Sequence, residues 1–126
     1  MWSIGVTIHQ LLTGKVLFEG ITEMEYLINI MKKKGTPNWD DSTFFRSSVF
    51  LVKMFDRLPK FNGNGIGPDS VCRNDDDDKL MYGFAQLIDA LTMLDPTKRP
   101  DCSSALNSLA QIRHHFEADM EGHGGV

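Results

Sequence analysis

The sequence predicts an all-α fold of about five helices, with a long loop at residues 59–79. Two observations point there. Apolar residues recur at three- and four-residue spacing along most of the chain, and no alternating strand pattern survives inspection. Helix-stopping and helix-starting residues (Gly14, Thr22, Gly35, Pro59, Pro96) then fall at the edges of those periodic stretches. At 126 residues the chain fits one compact domain. With 41% hydrophobic and 24% charged residues it has the balance of a globular protein.

The first helix is expected over Met1 to Gly14, with Gly14 suited to a left-handed carboxy-terminal cap. Its apolar residues Met1, Trp2, Ile4, Val6, Ile8, Leu11 and Leu12 spread around most of the cylinder, the pattern of a helix buried on several sides. After the connector Leu17-Phe18-Glu19-Gly20, Thr22 and Glu25 have the spacing of a capping box. The helix they open carries the stripe Tyr26, Leu27, Ile30, Met31. Lys32, Lys33 and Lys34 sit in its last turn, where cations suit the helix dipole, and Gly35 stops it. The lysines could alternatively bind phosphate or a partner.

Gly35-Thr36-Pro37 reads as a turn. A third helix is expected over 41–58, capped by Asp41 or Ser42, with Phe44, Phe45, Val49, Val52 and Phe55 facing a core. The loop that follows contains Gly63-x-Gly65-x-Gly67, which lacks the phasing, preceding strand and following helix of a phosphate loop. Asp75 to Asp78 are consecutive, so they cannot converge on one calcium ion; they suit the amino end of the next helix. That helix, Leu80 to Leu94, shows the stripe Phe84, Leu87, Ile88, Leu91, Leu94 and ends at Asp95-Pro96. The last helix starts near Asp101 and carries Ala105, Leu106, Leu109, Ile112 and Phe116; residues 118–126 are expected to be a disordered tail.

Several function classes drop out. A net charge of −4 gives no whole-chain attraction to nucleic acid. Apolar stretches end well short of the roughly 20 residues that span a membrane, and no signal-like segment opens the chain. Cys72 and Cys102 lack metal-ligand spacing and read as reduced thiols of an intracellular protein, cytoplasmic or nuclear. His9, His114 and His115 have no partner spacing for metal or triad chemistry, so surface or satisfied core roles are expected.

Three segments, in order, resemble the lower lobe of eukaryotic protein kinases. Trp2-Ser3-Ile4-Gly5-Val6 through Leu11-Leu12-Thr13-Gly14-Lys15, with Leu17-Phe18-Glu19-Gly20, is similar to that family's central buried helix and following loop. Glu23 to Pro37, ending Lys34-Gly35-Thr36-Pro37, is similar to the next helix and Gly-Thr-Pro turn of the group holding cyclin-dependent and MAP kinases, the CMGC group. Leu87-Ile88-Asp89-Ala90-Leu91 with Leu94-Asp95-Pro96-Thr97-Lys98-Arg99-Pro100 resembles the Asp-Pro-x-x-Arg-Pro element before the last major helix. The match covers roughly residues 1–37 and 84–106; residues 38–79 would be a variable insert, and 1–117 an incomplete lower lobe.

The resemblance assigns structural roles to Trp2, Gly5, Asp95, Pro96 and Arg99, and a substrate or partner surface to Gln10, Phe18, Glu19, Gly20, Thr36 and Pro37. Independently, Gly5 inside a helix costs about 1 kcal/mol relative to alanine, so close backbone packing is expected there. In the family the arginine of that element pairs with a glutamate of an upstream Ala-Pro-Glu motif. This sequence has none, so a solvent-exposed Arg99 is expected.

The resemblance implies ATP and magnesium in a full-length parent. A glycine-rich loop, strand lysine, His-Arg-Asp loop and Asp-Phe-Gly ligand are all absent here, so no catalytic, cofactor or metal residue is assigned within the chain. All of these precede the central helix in the family, whose sequences often read Asp-Met-Trp-Ser-x-Gly. Met1 is therefore expected to be an internal methionine, the chain being a truncated gene model, an exon fragment or a shortened paralogue. Two departures bear on specificity: Gln10 replaces a glutamate that attracts basic substrates, and Thr7 replaces an apolar support of the adenine side. Thr7 is expected to bond a helical carbonyl instead. The expected partners are the missing upstream lobe or another protein, with protein substrates for an intact parent. Two further readings stay open: a non-catalytic helical interaction module, and an unrelated helical bundle.

Overall fold

The computed structural model describes residues 1–37, 47–71 and 78–123. Within them the chain forms five α-helices: α1 (Trp2–Thr13), α2 (Glu23–Lys34), α3 (Val49–Asp56), α4 (Asp78–Leu91) and α5 (Cys102–His123). Single 3-10 turns lie at Pro68–Ser70 and Pro96–Lys98. No strand occurs among the described residues.

The helix ends follow local chemistry. Gly14 takes φ 71° and returns its N–H to the Gln10 carbonyl, closing α1 with the left-handed cap that glycine accepts without strain. The Thr22 hydroxyl accepts from Glu25 N–H at 3.1 Å, while the Glu25 carboxylate accepts from Ile21 N–H at 3.2 Å. This is a capping box whose return bond reaches one residue further out than usual. The Asp101 carboxylate accepts from Ser104 N–H at 2.8 Å and starts α5 in the same way.

Helix α4 is the hub. On one side it packs on α1, on another on α5, and it also meets the Pro68–Ser70 turn. Leu17, Phe18, Ile30, Ile66, Val71, Ala85 and Ile88 form one buried cluster, with Trp2, Val6, Ile8, Leu12, Met81 and Leu94 packed around it. Leu87, Leu91 and Ala105 form a second, against Met1, Ile8, Leu109 and Ile112. Ile8 therefore joins the two clusters. Gly5 fixes how close α1 lies: a Cβ there would be 2.9 Å from Leu91 Cβ and 3.1 Å from Thr92 Cγ2. The expected close approach is present, and its partner is α4.

Three elements differ from the sequence reading. The expected all-round burial of α1 is one-sided, since Ile4 is 45% and Leu11 80% exposed. In α3, Val49 and Phe50 are also exposed, so Val49 does not face a core. Phe44 and Phe45, the start of the expected third helix, lie outside the described residues, as do Asp75 to Asp77 and Cys72. The last helix continues past Glu117 to His123. Ala118, Met120 and Glu121 are good helix formers, and the Arg113–Glu117 pair at 2.9 Å supports the turn before them.

The loop before α4 lies against the end of α2. Thr36 N–H donates to the Phe61 carbonyl at 2.9 Å, and the Thr36 hydroxyl accepts from Phe61 N–H at 2.8 Å. Gly65 N–H reaches the Lys33 carbonyl at 2.8 Å, satisfying one of the orphan acceptors at the helix end. These contacts explain two of the three glycines noticed in the sequence. A Cβ on Gly63 would lie 2.0 Å from Gly35 N; Gly65 has φ 74° and faces the Asp89 carboxylate.

Candidate functional site

The residues to which sequence reasoning assigned roles separate into a buried stack and an exposed rim. At the stack, the Trp2 and Phe18 rings lie 5.4 Å apart at 20°, and the Tyr26 ring meets Phe18 edge-on at 6.3 Å. The Arg99 guanidinium sits over the Trp2 ring, 5.1 Å from its centroid. Lys33 Nζ lies 5.7 Å from the Phe18 centroid and donates to the Leu17 carbonyl. Residues from α1, the connector, α2 and the turn before α5 thus meet in one ladder of aromatic rings and cations.

The turn before α5 places Arg99. Buried Asp95 caps it, accepting from Thr97 N–H at 2.9 Å and from the Thr97 hydroxyl at 2.6 Å. Pro96 holds the first position of the 3-10 turn. Arg99 Nε then donates to the Met93 carbonyl at 2.7 Å. Arg99 is half-buried, not solvent-exposed as expected, because the Trp2 ring and the Met93 carbonyl accept it. Burial lowers its pKa from the ordinary value, while nearby Asp95 opposes the shift.

Of the expected substrate or partner surface, Gln10, Glu19 and Gly20 are exposed. Phe18 is not: at 2% exposure its ring belongs to the core, stacked on Trp2, and it is unavailable to a partner. Thr36 is tied to Phe61 on both its N–H and its hydroxyl, with Pro37 half-buried beside it. Glu19 offers its carbonyl to Asn29 Nδ2 at 2.6 Å, which pins the connector to α2. Gly20 is needed for space, since a Cβ would sit 2.5 Å from Tyr26 N.

Thr7 donates to the Ser3 carbonyl at 2.7 Å, the helical bond expected of it. His9 is a core histidine with polar partners: it is buried, with Nδ1 3.2 Å from the Lys15 carbonyl. Burial lowers its pKa, backbone hydrogen bonds to Lys15 and Ser70 oppose this, and the charge of Lys33 lowers it further.

One polar tie between distant elements was not identified from sequence. Lys34 Nζ lies 2.5 Å from Asp89 Oδ1 and 2.9 Å from the Asp89 carbonyl, and the same Oδ1 accepts from Ile66 N–H at 2.8 Å. One carboxylate on α4 therefore holds the end of α2 and the loop before α4 together. A lysine in the last turn of a helix already has a local explanation, which hides its distant partner. The remaining signal is Asp89 itself, a carboxylate flanked by Ile88 and Ala90 in an apolar stripe.

Among the described residues no group of three or more His, Cys, Asp or Glu side chains could hold a metal ion, and no helix is long and apolar enough to cross a membrane.

No protein-family model matches the chain. Over 126 aligned residues it is 31% identical to the mitogen-activated protein kinase pmk-1 of Caenorhabditis elegans, covering 94% of this chain and 29% of that protein. It is 31% identical over 119 residues to cyclin-dependent kinase C-2 C of Arabidopsis thaliana, covering 94% of this chain and 17% of that protein. Against mitogen-activated protein kinase 12 of Danio rerio it is 25% identical over 113 residues, covering 84% of this chain and 27% of that protein. The chain thus spans under a third of the length of these curated relatives.

Proposed function

We propose that this chain, which corresponds to the carboxy-terminal part of a protein-kinase domain of the CMGC group, supplies scaffold and docking surface while phosphoryl-transfer chemistry lies outside it. In this reading a protein carrying the upstream lobe transfers the γ-phosphate of ATP to serine or threonine of protein substrates inside the cell. ATP and magnesium are held there by residues outside these 126. Residues 38–79 serve as the group's variable insert, and Gln10, Glu19 and Gly20 contribute to the substrate or partner side.

The observation that carries the reading is the one-sidedness of α1. Its Gly5 face is packed on α4, while Ile4 and Leu11 are left exposed at 45% and 80% on a strongly apolar helix. A kinase lobe packed against that face would cover them. The test replaces both: Ile4→Gln with Leu11→Glu should reduce self-association in size-exclusion chromatography and shift stability by no more than about 0.5 kcal/mol. A large loss of helicity in the double variant would show that the face is already buried and would count against the reading. Saturable ATP binding by the wild-type chain alone would contradict it outright.

A non-catalytic interaction module is the second reading. It is favoured by Ile21 and Met24 at the start of α2, exposed at 96% and 46%. Retention of a defined oligomer after the α1 substitutions, and its loss after Ile21→Ser, would select this alternative.

A further inference from the structure

Beside the core, α4 and α5 leave a groove of about 470 Å³, closed at one end by the turn before α5. Leu87, Ala90, Pro100 and Ile112 supply its apolar surface. Gly83 sets its depth, because a Cβ there would come within 3.0 Å of Ile112 Cγ1. The polar lining is Gln86, Lys98, Ser108, Gln111 and His115.

Its charge is the informative feature. The chain carries 17 acidic residues against 13 lysines and arginines, yet no carboxylate among the described side chains lines this groove. Among the described residues its ionisable side chains are Lys98 and His115, both of the basic type. The Ser108 hydroxyl is engaged, donating to the Ser104 carbonyl at 3.1 Å. The side chains of Lys98, Gln86 and Gln111 make no hydrogen bond to the described residues and remain able to meet a ligand. An apolar floor with one cation and two amides above it, at a volume suited to a small molecule, selects for an anion carried on an apolar body.

We propose that the groove between α4 and α5 binds a small organic anion, its apolar part against Leu87, Ala90 and Ile112 and its charge on Lys98. The assignment rests on the chemistry of the lining alone, although Leu87, Ala90, Lys98 and Pro100 also belong to the segment that resembles the kinase lobe. The chemistry is shared by a free aryl phosphate and by a phosphotyrosine side chain within a peptide, and the test separates the two.

The full 126-residue chain, labelled with ¹⁵N, is titrated with phenyl phosphate, with inorganic phosphate, with phenol and with a blocked phosphotyrosine peptide. Phenyl phosphate should give saturable shifts centred on Gln86, Lys98, Gln111 and Ile112, weakening as salt is raised. Inorganic phosphate and phenol, each holding half of the recognition, should bind at least about tenfold more weakly. Peptide binding tighter than phenyl phosphate identifies a protein partner as the source; the reverse identifies a free metabolite. Lys98→Gln should weaken phenyl phosphate about tenfold with the circular dichroism spectrum unchanged. Absence of saturable shifts at these residues, or equal binding by the Lys98→Gln variant, overturns the proposal.

Discussion

Replacing Asp89 with alanine should be among the most damaging single changes outside the apolar core. The Lys34 side chain is 5% exposed and its ammonium is 2.5 Å from the carboxylate; Asp89 itself is 38% exposed. Without the carboxylate, Lys34 keeps only the Asp89 carbonyl at 2.9 Å, and Ile66 N–H loses its acceptor at 2.8 Å. Breaking a buried pair costs about 3–5 kcal/mol, and here the flexible lysine can partly escape to water, so a loss of about 3 kcal/mol is expected. The pair is asymmetric. Lys34→Met leaves a carboxylate that still sees solvent and still holds Ile66, so about 1 kcal/mol is expected. In the double variant the stranded lysine is gone, and its loss should fall short of the summed single losses by about 1–2 kcal/mol. Urea denaturation followed by circular dichroism at one buffer and temperature measures all three. Single losses that add within about 0.5 kcal/mol, or an Asp89→Ala loss below about 1 kcal/mol, would refute this account of the tie.

Gly63→Ala should destabilise by about 3 kcal/mol or leave the loop detached from α2, because its Cβ has backbone atoms at 2.0 Å; Gly67→Ala, with nothing within 4 Å, should stay within about 0.5 kcal/mol in the same melts. Arg99→Lys loses both the planar contact with Trp2 and the Nε bond to Met93, so a drop of about 1–2 kcal/mol is expected in thermal denaturation. For His9 the folded pKa lies below the unfolded value near 6.5, so the unfolded chain binds more protons as pH falls. Its contribution is therefore complete above that value and is lost as pH drops through the folded pKa. Denaturation midpoints at stepped pH, compared with His9→Gln, check this: the variant should lose that slope.

The elements legible in the sequence were those governed by near neighbours. Gly14, Thr22 with Glu25, and Gly35 set ends of α1 and α2 through bonds of a few residues' reach, whereas α4 stops at Leu91, short of the expected Leu94, and Asp95-Pro96 instead open the next 3-10 turn. The role of Gly5 was readable because a glycine in an apolar helix has few other reasons to be there. The contacts that define the site were less legible, since they join residues far apart in the chain. Lys34 and Asp89 are 55 residues apart, and each has an innocuous local reading. Phe18 looked like exposed connector, but its ring is stacked on Trp2 and fills the core. Arg99 looked stranded without its family partner, yet an aromatic face and a carbonyl from its own neighbourhood accommodate it. The open face of α1 was hidden for the opposite reason: apolar content tells that a helix prefers burial, not which part of the chain provides it.

The arrangement of α1 decides the account most directly. An isotope-edited NMR structure of the 126-residue chain, with side-chain contacts and water accessibility measured residue by residue, should show the Trp2 ring in contact with Phe18 and Arg99, Gly5 against Leu91, and Ile4 and Leu11 open to solvent. Finding Ile4 and Leu11 enclosed by α4 and α5 in a closed bundle would contradict it.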